Sequence, residues 1–206
     1  MEVFFQKNLG LLPLWVGGVR CCNTNHYFGF SGVVDRKERF EEKYYKRIQR
    51  SLPIVTVDIL PLRYSTEKSE RLESVGLISR ETADEGVKWC LVGGRLLYGE
   101  QLSEAISRQI SDTLGEGLKV ITAIKDQQPL YIAQYFPSGD SPFLRDPRQH
   151  SIGLTYALEL EGRISPKGEA LDFKWFNPAR LPKSSEFGFG HDKLVRTLLE
   201  CLTLRF

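Results

Sequence analysis

The stretch Gly93 to Gly115, GGRLLYGEQLSEAISRQISDTLG, gathers the residue types that could do chemistry. A glycine pair, Gly93-Gly94, follows a short apolar run, and glycine lets a ligand come closer to the main chain than any other residue does. Glu100 stands six residues after Gly94, Arg108 eight after Glu100, and Gly115 closes the segment. On a helix, Glu104, Arg108 and Asp112 recur every fourth residue and share one face. Arg108 can pair there with Glu100 or Glu104 and hold the loop against the helix, and Asp112 then presents a carboxylate near Gly94. Oxygen ligands of that kind suit magnesium, which keeps most of its waters and bridges to substrate phosphates. An ordinary amphipathic helix with a charged outer face has the same spacing, and spacing alone does not separate the two readings.

A strand, a turn and a helix must follow one another to place these groups. Val87 to Val92 reads as the strand that delivers the glycine pair. Gln101 to Leu114 reads as the helix, with Leu102, Ala105, Ile106, Ile110 and Leu114 forming one apolar stripe. Gly115 and Gly117 end it. Upstream, the pattern predicts a helix from N-cap Asp35 to Arg50, with Phe40, Tyr44, Tyr45 and Ile48 apolar at helical spacing. Ser51-Leu52-Pro53 breaks it. Ile54 to Leu62 alternates apolar and polar residues as a strand does, with Asp58 read as pointing outward. Val75 to Ile78 is a second strand, and 80–88 is a loop carrying Arg80. Downstream come strands over 118–124, 130–136, 151–160 and 172–176, and a helical turn over 178–181. A terminal helix over 191–204 turns Leu194, Val195, Leu198, Leu199 and Leu202 inward. Two long loops remain. One, 137–149, is polar with three prolines; the other, 161–170, carries Glu161 and Glu169. Loops of that length in compact domains are often functional. The order is that of a strand-rich α+β domain over 35–206, preceded by a glycine- and aromatic-rich N-terminal extension over 1–34.

Composition narrows the function classes. The 206 residues are 41% hydrophobic and 26% charged, a balance that supports a sizeable core. A net charge of +2 gives no reason to expect a nucleic-acid or membrane surface. Four cysteines, with no CxxC pair among them, are too few for a disulfide scaffold and read as reduced thiols in a cytoplasmic protein. The apolar run Leu11 to Val19 is interrupted by Pro13 and two glycines and is not read as a signal peptide.

The central stretch resembles a Nudix box, whose pattern is G, five residues, E, seven residues, R-E-apolar-x-E-E-x-G-apolar. Gly94, Glu100, Arg108, Ile110 and Gly115 match in register, and Asp112 replaces the first glutamate of the pair. Gln109, Thr113 and Glu116 depart from the pattern, and the first two stand where the family places metal-binding glutamates. The resemblance implies a Nudix-type α/β/α sandwich with a mixed central sheet, acting on a nucleoside diphosphate derivative with magnesium, manganese being the alternative. Within the family it is closest to GDP-mannose mannosyl hydrolases, over roughly residues 40 to 200, which share the GGR sequence and lack the glutamate after the arginine. It implies that Asp112, Glu169 and the backbone oxygen of Gly93 or Gly94 hold the metal. It also implies that Arg80 neutralises the diphosphate, that Asp58 orients the sugar or base, that Glu169 or His150 is the base, and that the chain forms a homodimer. The family's histidine base falls on Ala170. Two function classes stay open: a nucleotide-sugar hydrolase, and a Nudix-fold module that binds a nucleotide-like ligand or a protein without turnover.

Other candidates have weaker signatures. Arg145 and Arg148 in the long loop could clamp a phosphate, or could be solvated. His150 could line a cleft or be structural, and His191 reads as a cap of the last helix. His26 sits among aromatics in the extension. Three scattered histidines make no zinc site. Trp89 and Trp175 read as core residues and Cys90 as an inert core thiol. No P-loop, dinucleotide fingerprint or Ser-His-Asp order is present.

Overall fold

The computed structural model describes residues 41–65, 71–121, 128–138 and 144–204. The N-terminal extension expected over 1–34, and Asp35 and Phe40 of the first helix, lie outside them.

Strand β1 (Ile54–Tyr64) is the spine of the sheet and is buried along almost its whole length. Its length explains the branched topology. On one edge it pairs in parallel with β8 (Ser151–Gly162), from Ile54↔Ser151 to Leu62↔Glu159. The other edge changes partner part-way. Thr56 to Ile59 pair antiparallel with β4 (Val92–Arg95), and Leu62 to Tyr64 pair antiparallel with β2 (Leu72–Glu81). Pro61 sits in the gap between those two partners, where its missing N–H breaks no ladder bond on that edge. β2 in turn pairs with β3 (Val87–Cys90) and with β9 (Asp172–Phe176). β8 pairs with β5 (Leu118–Val120) and β6 (Tyr131–Phe136), and β6 with the short β7 (Leu144–Arg145). The sheet is mixed, and it forks where β4 leaves β2 and β3.

Three helices pack against it. α1 (Glu42–Ser51) ends where Ser51-Leu52-Pro53 was expected to end it, but none of its residues is buried and Tyr44 is exposed. α2 (Leu102–Leu114) buries Ala105, Ile106, Ile110 and Leu114 as the stripe predicts, and Gln101 and Glu104 close a capping box at its start. Gly115 ends it with a positive φ of 98°, a conformation that glycine adopts without strain. α3 (His191–Thr203) buries Leu194, Val195 and Leu198, while Leu199 and Leu202 are half-buried. This is the α+β architecture with a mixed central sheet that the sequence suggested.

Four local readings need correction. Gly93 and Gly94 are inside β4, paired with Asp58 and Val57, and do not form a turn after a strand. The strand expected over 87–92 is two strands separated by Leu91. Arg80 lies on β2 rather than in a loop, because β2 runs on to Glu81 and pairs with β3 as a hairpin across 82–86. Residues 178–179 form a turn, and the helical turn of this region is a 3-10 segment at Ser184–Glu186. Among the described residues no helix is long and apolar enough to cross a membrane.

Candidate functional site

The fork in the sheet opens a cleft floored by β1 and β4. Asp58, Gly93, Gly94 and Arg95 line its floor, Arg80 and Cys90 one wall, and Arg148, Gln149, Ser151 and Tyr135 the other, with Glu169, Phe189 and His191 closing it.

Asp58 points inward, not outward as its place in the strand suggested, and it is 8% exposed. Two glycines make room for it. A Cβ on Gly93 would fall 2.7 Å from Asp58 Oδ1, and one on Gly153 would fall 2.3 Å from Oδ2. Tyr135 Oη donates to Asp58 Oδ2 at 3.0 Å, and His191 Nε2 lies 3.1 Å from the same hydroxyl. At the far end the Leu91 N–H donates to His191 Nδ1 at 3.0 Å. Desolvation raises the Asp58 pKa to about 7, although the Tyr135 hydrogen bond and the Arg80 charge pull it down. Desolvation, helped by the Arg80 charge, lowers His191 to about 3 and keeps it neutral. Burial likewise pushes the Cys90 thiol up to about 12, so it stays protonated.

The cations are stacked as well as paired. Arg80 Nη1 bridges to Glu169 Oε2 at 2.7 Å, its Nε is buried without a partner, and its guanidinium lies 5.7 Å from the Phe189 ring centroid. Arg148 binds Asp146 through Nε at 2.8 Å and Nη2 at 2.9 Å, and lies 5.2 Å from the same ring. Arg95 stacks on Tyr45 at 4.3 Å. Phe189 is held at φ 59°, the described non-glycine residue with positive φ, and its N–H donates to Glu85 Oε2. Backbone strain of that kind clusters at functional sites. Burial raises the Glu169 pKa against the opposing pull of Arg80 and Arg148.

The loop after β4 is fastened as the sequence allowed, with Glu100 as the partner. Arg108 Nε and Nη2 donate to its two oxygens at 2.6 and 2.8 Å, Nη2 also donates to the Arg95 carbonyl, and the Leu97 N–H donates to Glu100 Oε2. Desolvation opposes ionisation of Glu100, but these donors outweigh it and its pKa is lowered.

The α2 face toward the cleft floor differs from the expected one. Gln109, 8% exposed, lies against Gly94, where an added Cβ would meet its Nε2 at 2.5 Å. Thr113 is buried. Asp112 is exposed, and it is not among the residues lining the cleft with Gly94 and Glu169. The loop before β9 does cross the end of α2, since the Lys167 N–H donates to the Thr113 carbonyl. Among the described residues no three His, Cys, Asp or Glu side chains converge as a metal site would need. An amide and a hydroxyl on the inward face of α2 are weak magnesium ligands beside the carboxylates they replace. The donor set does not fit the family's metal.

Arg145 pairs with Asp84 and lies outside the cleft lining. His150 stacks on Phe136 at 4.7 Å and is also outside it. His191 is not a cap. Gly190 is the N-cap, and the imidazole of the first helical residue projects into the cleft. Trp89 and Trp175 are half-buried rather than central to the core. Sequence reasoning passed over Tyr135, Asp146 and Gly153. Tyr135 and Gly153 fall on strand faces where alternation alone gives no sign of a polar contact.

The sequence model of the family described as "Domain of unknown function (DUF4916)" matches residues 36–204. Among solved structures, the chain is similar to a possible asymmetric diadenosine tetraphosphate hydrolase from Jonesia denitrificans DSM 20603. The identity is 31%, the match covers 73% of this chain and 95% of that one, and the TM-score is 0.63. A MutT NUDIX hydrolase from Burkholderia pseudomallei matches at 19% identity over 73% and 98% of the two chains, with a TM-score of 0.53. The NUDIX domain of Shewanella oneidensis NrtR, solved in complex with ADP ribose, matches at 16% identity over 83% and 99%, with a TM-score of 0.51. No curated protein matches the chain.

Proposed function

We propose that this chain, which belongs to the DUF4916 family, is a Nudix-type hydrolase of a nucleoside diphosphate derivative, a nucleotide sugar foremost, acting in the cleft around Asp58 and Arg80. The observation that carries the reading is the convergence of Arg80 and Arg148 on the Phe189 ring, beside Asp58 and Glu169, over a floor of glycines. Guanidinium groups bind phosphate oxygens in planar pairs and neutralise their charge. Arg80 and Arg148 hold the diphosphate, and Phe189 shields the arginines' far faces from water. Glu169 leaves Arg80 as the phosphate arrives and takes a proton from a water whose oxygen bonds to the sugar carbon that carries the diphosphate. The bond from that carbon to the diphosphate oxygen breaks, its electrons stay on the oxygen that the arginines hold, and the free sugar and the nucleoside diphosphate leave. Asp58 orients the sugar. The names of the Jonesia and Shewanella proteins, which mention diadenosine tetraphosphate and ADP ribose, support a ligand of this class.

One observation favours a second reading, binding without turnover: the two inward positions of α2 that would carry glutamates carry Gln109 and Thr113. A single panel separates the two. Purified protein is incubated with GDP-mannose, ADP-ribose and diadenosine tetraphosphate, each with magnesium, manganese or EDTA, and products are resolved by ion-exchange chromatography. Turnover of a nucleotide sugar that falls about a hundredfold or more in Glu169→Gln supports hydrolysis. Ligand-induced thermal stabilisation with no product from any substrate refutes it and leaves the binding module.

A further inference from the structure

The hydrogen bonds beneath Asp58 have a single consistent direction. A backbone N–H can only donate, so the Leu91 amide, 3.0 Å from His191 Nδ1, requires that nitrogen to be a bare acceptor. The neutral imidazole then carries its proton on Nε2. An imidazolium would set an Nδ1–H against the Leu91 N–H in a buried site. With Nε2 as donor, the oxygen of Tyr135, 3.1 Å away, is the acceptor, and the phenol's own proton is committed to Asp58 Oδ2 at 3.0 Å. All three side chains are at most 8% exposed, so no solvent competes for these protons. The chain of donors therefore runs one way, from Leu91 through His191 and Tyr135 to Asp58. It occupies Oδ2 and does not reach Oδ1, which lies on the Gly93 side of a residue that lines the cleft. The two glycines leave the room the carboxyl group occupies, because a side chain at either position would collide with one of its oxygens.

We propose that Tyr135 and His191 are positioning residues that cap Asp58 Oδ2 and present Oδ1 to a hydroxyl of the ligand's sugar. The assignment rests on the reading of the cleft as a nucleotide-derivative site. It differs in kind from the arginine contacts, because it acts on the sugar and not on the phosphates. It makes the tautomer of His191 part of ligand recognition, and a sugar without that hydroxyl loses the contact.

Two measurements test it. The first needs no ligand: a long-range nitrogen–proton correlation spectrum of uniformly labelled wild-type protein at pH 7 reads the ring nitrogens of His191. The expected result is a protonated Nε2 and an unprotonated Nδ1. An Nδ1–H tautomer or an imidazolium overturns the proposal. The second is titration calorimetry with GDP-mannose and ADP-ribose as probes on proteins whose melting temperatures are checked first. Tyr135→Phe weakens binding about tenfold, the scale of one hydrogen bond that orients a buried carboxyl group. His191→Phe does the same. His191→Gln restores most of the loss, since its amide can accept from Leu91 and donate to Tyr135. Unchanged affinity in folded Tyr135→Phe, or equal affinity in the Gln and Phe variants at position 191, overturns the proposal. Failure of the wild type to bind either probe overturns the functional reading instead, and the spectrum keeps the two failures distinguishable.

Discussion

Asp58 and His191 should write opposite slopes into the pH dependence of stability. The pKa of Asp58 rises from 3.8 to about 7 on folding. Over that interval the folded chain holds a proton that the unfolded chain has shed. The stabilisation is full below about 4 and is lost as the pH climbs to 7. His191 falls from 6.5 to about 3. There the unfolded chain takes the proton first, so the contribution is present above about 6.5 and lost as the pH falls toward 3. Each span is about three pH units, worth on the order of 4 kcal/mol at roughly 1.4 kcal/mol per unit. Between about pH 4.5 and 6.5 the two slopes cancel in the wild type. Removing either group exposes the other. Asp58→Asn should gain stability relative to wild type as the pH rises through that window, by about 3 kcal/mol, and His191→Gln should lose a similar amount. Urea unfolding at half-unit pH steps, followed by tryptophan fluorescence, gives both difference curves, and common contributions from other groups subtract out. Difference curves that run parallel to the pH axis for both variants would falsify the assignment of Asp58 and His191 as buried groups with displaced titrations. Slopes of the same sign would show that one of the two directions is wrong.

Three further outcomes follow from the packing. Gly153→Ala should destabilise the fold by about 1–3 kcal/mol in urea unfolding, because its Cβ would sit 2.3 Å from Asp58 Oδ2 and 3.0 Å from the Tyr135 ring. Adjacent glycines should differ: Gly93→Ala meets the Val57 carbonyl at 2.4 Å and should be severe, whereas Gly94→Ala meets the movable end of Gln109 and should change stability by less than about 1 kcal/mol. Glu100→Gln removes the carboxylate that accepts both Arg108 contacts and the Leu97 N–H, and should cost about 1–3 kcal/mol. That loss should also shrink as the wild type is acidified, since the lowered pKa of Glu100 gives stability that is present at neutral pH and lost as the pH falls through it.

Much of the frame was legible from residue pattern alone. The α2 stripe, the glycine that ends that helix, β9 and the course of β8 all follow from periods of two and 3.6 and from turn chemistry. What the pattern hid was direction and partner choice. Asp58 looked outward because alternation assigns polar residues to solvent. Only the paired glycines on β4 and β8, 35 and 95 residues away, create the space that turns it in. His191 looked like a cap because it follows Gly190 at a helix start, yet Gly190 takes the cap position and frees the imidazole to reach Tyr135. Such contacts between distant segments leave no local trace in sequence.

The central stretch separates the residues of a motif that build its scaffold from those that would carry its metal. Gly94, Glu100, Arg108 and Gly115 all serve the backbone here. Glu100 and Arg108 tie the loop to α2 and to the Arg95 carbonyl, and Gly115 ends the helix. Each would be retained whether or not a metal binds, so their match reports the scaffold. The positions that would report metal chemistry are the inward ones, 109 and 113, and both hold uncharged side chains in a buried setting. A carboxylate at either would need a compensating cation or would stay protonated. The cleft's charged groups lie instead on the sheet side and in the loops before β8 and β9, as Arg80–Glu169 and Arg148–Asp146 pairs around Asp58. The hydrolysis proposed above rests on that wall, and Glu169→Gln is a sharper test of it than any substitution in the box.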